Sequence, residues 1–205
     1  MEPIKPFTAK AVAIAIDNVD TDQIIPAQYL KAVDKADMAE GLFAAWRRNA
    51  DGSVNEDFPL NRPEHAGAGV LIAGHNFGCG SSREHAGWAL QGYGFKAVIS
   101  TDFADIFRSN ALKIGLLPIV VDAETHAQLL SMCEEDPDTR VSIDLAAQQV
   151  LLDDGRAVSF PIEPFAKYCL LNGVDQLGFL LSQNADIAAY ENAQPGRIQT
   201  TAEVA

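Results

Sequence analysis

The sequence is poor in basic residues, in cysteine and in long apolar runs. Only 15 Lys and Arg stand against 28 Asp and Glu, a net charge of −13 at pH 7. A chain with no basic excess cannot release counterions from a phosphate polymer or neutralise anionic headgroups, so nucleic acid and membrane surfaces are excluded as partners. The three cysteines, Cys79, Cys133 and Cys169, form no CxxC pair and are odd in number. Neither a disulfide framework nor a zinc or iron–sulfur site is encoded in that spacing, so no metal ligands are assigned to this chain. The apolar run Ala11–Ile16 near the N-terminus is too short for a signal-peptide core and far short of a membrane span, which leads us to expect a cytoplasmic protein.

What is present is ordinary globular material: 205 residues, 48% hydrophobic and 21% charged. That length fits one domain, expected over residues 1–195, with a flexible tail at 196–205. The acidity is uneven, with 9 basic and 12 acidic residues in positions 1–100 but 6 and 16 in positions 101–205. A site for a small anion is therefore expected in the first half.

A strand is expected at Lys10–Ile16, closed by the polar turn Asp17–Asp22 before Ile24-Ile25-Pro26. Residues 37–48 read as one helix and 49–69 as an irregular excursion. From Val70 the pattern alternates: strands Val70–Ala73, Ala97–Ser100 and Leu117–Val121, with helices at about Ser82–Gly92, Phe103–Lys113 and Glu124–Glu135. Three βα units in succession indicate an α/β fold. Short strands Arg140–Leu145, Gln149–Leu152 and Ala157–Phe160 follow, then helices Glu163–Leu171 and Val174–Ala189.

The segment richest in chemistry is Gly74-His-Asn-Phe-Gly-Cys-Gly-Ser-Ser-Arg-Glu-His-Ala86, between an expected strand and an expected helix. It lacks the third glycine of a dinucleotide fingerprint, the Gly-Lys-Ser/Thr of a P-loop, and the second glycine of a hydrolase elbow. Ser81-x-x-Glu84 has the spacing of a capping box, a purely structural role. The three glycines, the adjacent hydroxyls of Ser81 and Ser82 and the planar fork of Arg83 equally describe an anion-binding turn able to form an oxyanion hole.

Asn76–Ala86 resembles one signature of the swivelling domain of the aconitase superfamily, and Asn18-Val-Asp-Thr-Asp-Gln-Ile-Ile-Pro26 resembles its other signature. Phe103–Asn110 with Gly115-Leu-Leu-Pro118 is similar to a third block of the same family. Cys79 stands where aconitases proper usually carry an acidic residue, which points to the isopropylmalate branch. The resemblance implies a three-layer β/β/α swivelling domain (aconitase C-terminal-domain-like). It implies a hydro-lyase that isomerises a small dicarboxylate by dehydration and rehydration, active only with a large subunit that carries a [4Fe-4S] cluster.

By position in those motifs, Ser81 is implied as the base, with Ser82 holding its geometry and Asp22 beside it. Arg83 is implied to grip a substrate carboxylate. Thr21, Leu30 and Lys31 are implied at the substrate, the last two near its apolar side chain, while Asp20 is read as structural. The region 32–69 is expected to include a partner-facing or gating loop. Rival readings are the same chemistry on homoaconitate or a methylmalate, an assembly module without chemistry, and a serine hydrolase. An intact Ser-Ser-Arg turn disfavours the assembly module, and the failed elbow motif disfavours the hydrolase. His75 and His85 lack the spacing of a ligand pair and are given no role.

Overall fold

A computed structural model of the chain describes residues 1–31 and 35–193. In chain order the elements are β1 (Phe7–Ile14), α1 (Thr21–Ile24), α2 (Lys35–Gly41), α3 (Ala44–Arg47), β2 (Val70–Ala73), α4 (Glu84–Tyr93), β3 (Ala97–Ser100), α5 (Asp105–Ile114), β4 (Leu117–Val120) and α6 (Ala123–Glu135). They continue with β5 (Arg140–Asp144), β6 (Gln149–Leu151), β7 (Ala157–Ser159), α7 (Pro164–Asn172), α8 (Gln176–Ser182) and α9 (Asn184–Ala193). The tail expected at 196–205 lies outside the described residues.

The seven strands are ordered β4-β3-β2-β1-β5-β6-β7. Pairing is parallel from β4 to β1 and antiparallel from β1 to β7. The strand β1 is shared: Phe7–Lys10 pair with β5, and Ala11–Ile14 pair with β2. The two β layers implied by the resemblance are thus hydrogen-bonded to one another through a single strand.

Strands β2 and β3 are buried at every position, as a parallel sheet covered on both faces requires. Alternate side chains separate into two cores. Val12, Leu71 and Val98 pack with Ile24, Phe43, Phe77, Leu90 and Phe107 from the loops and helices of one side. Ala11, Val70, Ile72 and Ile99 pack with Leu129, Val141, Val150 and Leu170 on the other. The first core supports the turns that follow β1 and β2, where the sequence placed its candidate residues.

Three expected elements differ from the observed ones. The helix expected at 37–48 breaks into α2 and α3 at Phe43, which takes a left-handed conformation (φ 48°), donates its N–H to Ile24 O at 2.8 Å and stacks its buried ring on Trp46. Burying that ring against Trp46 and Phe58 outweighs helix continuity. The C-terminal helix expected at 174–189 is two, α8 and α9, the first capped by Asp175, whose carboxylate accepts from Gly178 N–H. The excursion at 49–69 is irregular yet tied down: the Asn61 side-chain amide donates to the carbonyls of Arg47 and Asn55, and two 3-10 turns, Pro59–Asn61 and Pro63–His65, follow. Of the loop expected within 32–69, residues 32–34 lie outside the described residues.

Candidate active site

The loop after β1 and the turn after β2 emerge side by side because their strands are paired in parallel. A ladder of bonds joins them. Asn18 N–H donates to His75 O, Gly78 N–H to Val19 O and Thr21 N–H to Cys79 O, each at 2.8 Å. Side chains add to it: His75 N–H donates to the Asp17 carboxylate at 2.7 Å, the Asn76 amide to Asn18 Oδ1 at 2.9 Å, and Thr21 Oγ1 to Ser81 O at 3.0 Å. The third block joins from beneath, where Phe77 N–H donates to Asp102 O and Ala104 N–H to Phe77 O. Phe77, Phe103 and Phe107 fill the space under the turn. All three signature segments therefore meet at one place.

The turn needs unusual backbone. Asn76, Gly78 and Gly80 all take positive φ (54°, 79° and 91°), a region open to glycine and tolerated by asparagine. At Gly78 a Cβ would lie 2.3 Å from the Phe107 ring, so glycine is required there by space as well as by dihedral.

The structure brings Asp22 and Arg83 into an ion pair in which Arg83 Nη1 donates to Asp22 Oδ1. Ser81 and Ser82 are exposed beside it, and among the described residues neither hydroxyl meets a hydrogen-bond partner. Asp20 is structural: its carboxylate accepts from Gln23 N–H at 2.7 Å, and Gln23 Oε1 accepts from Asp20 N–H at 2.9 Å, a reciprocal cap on α1.

One expectation needs correction. The Ser81–Glu84 capping box does not form. Helix α4 begins at Glu84 with Arg83 as its N-cap and no side-chain cap bond, because Ser81 is held in the turn by bonds from Thr21 Oγ1 and Arg83 N–H to its carbonyl. Thr21, implied as a substrate contact, is 1% exposed and its hydroxyl is committed to Ser81 O. It holds the turn from behind. Leu30 and Lys31 lie in a 3-10 turn, Ala27–Lys31, with Leu30 half-buried against the core and Lys31 exposed.

No histidine joins Ser81 in a triad among the described residues. His75 Nδ1 lies 3.1 Å from Thr101 Oγ1, His85 packs on Trp88, and His126 Nε2 lies 2.7 Å from Ala73 O inside the fold. The cysteines do not converge either: Cys133 is buried on α6, Cys169 on α7, and Cys79 sits in the turn with Sγ 3.3 Å from Asn18 O. Burial and the adjacent Glu134 push the Cys133 thiol up to about 11. Among the described residues no cluster of His, Cys, Asp or Glu fits a metal ion or an iron–sulfur group.

The Ser81–Arg83 surface is open. A cleft of about 470 Å³ between α5, α7 and α8, lined by Arg108, Leu112, Phe165 and Leu177 among others, does not include the turn, nor do those of about 1110 and 190 Å³ elsewhere. Among the described residues Gly80, Ser81 and Ser82 thus stand on an exposed surface and line none of these clefts. Among the described residues no helix is long and apolar enough to cross a membrane.

Asn18 and Asn76, to which the motifs assign no role, also join the two turns. The signal available was asparagine within polar, glycine-rich turns, the residue most tolerant of left-handed backbone after glycine.

Comparison with known proteins agrees with this geometry. Residues 1–124 match a family model described as the aconitase C-terminal domain, and residues 127–164 match one described as LeuD_N. The chain is 64% identical over 202 residues to the 3-isopropylmalate dehydratase small subunit of Roseiflexus sp. (strain RS-1), covering 98% of this chain and 99% of that protein. It is 57% identical over 194 residues to the 3-isopropylmalate dehydratase small subunit of Anaeromyxobacter dehalogenans (strain 2CP-C), covering 95% and 100%. Among solved structures it is similar to a 3-isopropylmalate dehydratase from Methanocaldococcus jannaschii, with a TM-score of 0.64 and 30% identity over 90% of this chain and 99% of that one.

Proposed function

The chain belongs to the 3-isopropylmalate dehydratase small-subunit family of the aconitase superfamily, and from that premise we propose how its open turn contributes to the hydro-lyase reaction. The substrate is an isopropyl-substituted malate, isomerised by removal and readdition of water in leucine biosynthesis. The observation that carries the reading is the pairing of two exposed serines with an arginine fork on one open turn.

Arg83 grips one substrate carboxylate. A guanidinium presents two parallel N–H groups to a carboxylate, and Asp22 holds one of its nitrogens in place until substrate arrives. Ser81 takes the proton from the carbon next to a carboxylate. An unassisted serine hydroxyl is too weak a base for that step, so its anionic form must be stabilised by neighbouring N–H donors and by the Arg83 charge. Ser82 keeps the second hydroxyl of the pair facing the same side. The negative charge that develops as the proton leaves is held by Arg83, which thereby orients the dianion and lowers the barrier.

The large subunit supplies the wall opposite the turn and a [4Fe-4S] cluster, whose chemistry is Lewis-acid activation of the departing hydroxyl. This chain's own cysteines do not assemble a ligand set for such a group, and no step of the proton chemistry above passes through them. Leu30, at the edge of the first core, provides apolar lining for the isopropyl group, with Lys31 beside it at the rim.

The test is hydration of 2-isopropylmaleate, followed by loss of ultraviolet absorbance. The chain alone is compared with the complex obtained by anaerobic co-expression with an iron–sulfur large subunit. Turnover in the complex and none in the isolated chain is the expected result. A complex with an intact cluster that hydrates homoaconitate or a methylmalate faster than 2-isopropylmaleate would move the substrate assignment.

A further inference from the structure

We infer that Thr21 is a positioning residue that turns the N–H groups of Gly80 and Ser82 outward and so builds the anion-stabilising donors around Ser81. This rests on the assignment of Ser81 as the base. Thr21 makes two bonds to the serine turn: its N–H donates to Cys79 O at 2.8 Å and its Oγ1 to Ser81 O at 3.0 Å. Two carbonyls, two positions apart in the chain, are therefore drawn toward the same buried residue. Among the described residues every peptide bond is trans. In a trans peptide the C=O of one residue and the N–H of the next point in opposite directions. Aiming Cys79 O and Ser81 O inward at Thr21 accordingly aims Gly80 N–H and Ser82 N–H away from it.

The direction away from Thr21 is the open side of the turn. Thr21 is 1% exposed, whereas Gly80, Ser81 and Ser82 are exposed. Among the described residues neither Gly80 N–H nor Ser82 N–H meets an acceptor. Unpaired N–H groups turned toward the same open face as a serine hydroxyl are the donors that an alkoxide, or the carboxylate of a bound dianion, requires.

The Thr21 hydroxyl is what fixes the second of these planes. The Cys79–Gly80 plane is held by backbone alone, through Thr21 N–H, so any residue at 21 keeps it. The Ser81–Ser82 plane is held from inside by a side chain that only threonine or serine supplies. With valine at that position, Ser81 O loses its inward partner and keeps only the bond from Arg83 N–H, and the plane is free to rotate.

The experiment compares Thr21→Val, Thr21→Ala and Thr21→Ser in the anaerobically assembled two-subunit enzyme, with Ser81→Ala alongside. Expected are a kcat lower by about 10²-fold for Thr21→Val, the size of effect that follows loss of one oxyanion-hole donor, an unchanged KM, normal co-purification with the large subunit, and recovery of most of the rate in Thr21→Ser. A Thr21→Val enzyme with wild-type kcat, while Ser81→Ala is inactive, overturns the inference and leaves the base assignment standing. If Ser81→Ala also turns over normally, the base assignment itself has failed. Should Thr21→Val and Thr21→Ala both lose assembly or cooperative unfolding along with activity, Thr21 is a packing residue and the inference is overturned.

Discussion

The guanidinium of Arg83 is held by the carboxylate of Asp22, a residue 61 positions earlier in the chain. The two arrive from different loops and meet only because β1 and β2 are neighbours in the sheet. With Arg83 20% exposed and Asp22 55% exposed, the pair stands in high-dielectric surroundings, where such contacts stabilise a fold by less than about 1 kcal/mol. Its value is in orientation. Asp22→Asn is expected to leave the unfolding temperature nearly unchanged while raising KM and lowering kcat/KM in the assembled enzyme.

Ser81→Ala removes the proposed base. Turnover should fall by about 10³-fold, in line with general-base contributions, while co-purification with the large subunit stays normal. Steady-state kinetics with pull-down on the same preparation checks both. Retention of a tenth or more of the wild-type rate would take serine out of that role.

Arg83→Lys keeps the charge and loses the planar fork. Hydrogen bonds to charged groups contribute about 1.5–3 kcal/mol, so at least about tenfold of kcat/KM should go, chiefly through KM. Substrate saturation curves measure it.

Gly78→Ala should be among the most destabilising single changes in the turn. A side chain at φ 79° costs about 1–2 kcal/mol, and the added Cβ at 2.3 Å from the Phe107 ring forces a further overpacking cost of about 1–3 kcal/mol. Gly52→Ala is the control. It has a similar φ of 85° with nothing within 4 Å of the new Cβ, so it should cost only the dihedral share. Urea unfolding of the two variants separates space from dihedral strain.

His65 makes stability depend on pH. It is 9% exposed, its Nδ1 meets no partner among the described residues, and desolvation lowers its pKa, Glu64 acting in the opposite sense and Arg62 and Lys10 reinforcing it. A histidine with a folded pKa below its unfolded value of 6.5 is neutral in both states at high pH. As pH falls below 6.5 the unfolded chain takes up the proton first, and stability declines. Denaturant midpoints should therefore drop between pH 7.5 and 5, and His65→Gln should flatten that slope.

Much of the central fold was legible in the sequence. Val70–Ala73 and Ala97–Ser100 are strands with the bounds that their apolar runs indicate, because a parallel strand covered on both faces leaves an uninterrupted hydrophobic stretch. The motifs were legible as well, but not their internal roles. Ser81 and Glu84 carry capping-box spacing, and what prevents the box is a hydroxyl 60 residues away. Thr21 and Asp22 are neighbours in the motif, yet the Thr21 side chain is buried on Ser81 O while that of Asp22 is exposed on Arg83. Such outcomes depend on which loops the sheet brings together, information absent from any local window. The break at Phe43 is of the same kind: residues 37–48 have helical character, and a tertiary contact overrides it.

The strand β1 is divided between two partners, one following it closely in the chain and one far along it. During synthesis its second half can pair as soon as β2 leaves the ribosome. Its first half, Phe7–Lys10, must wait for Arg140–Ile143. Until then the nascent chain carries an open sheet edge with Phe7 and Ala9 on it, the kind of surface that recruits a neighbouring strand. Emergence of residue 143 from the ribosome allows that edge to be covered. A pause in translation before that point accordingly prolongs the exposure of this edge to a neighbouring chain.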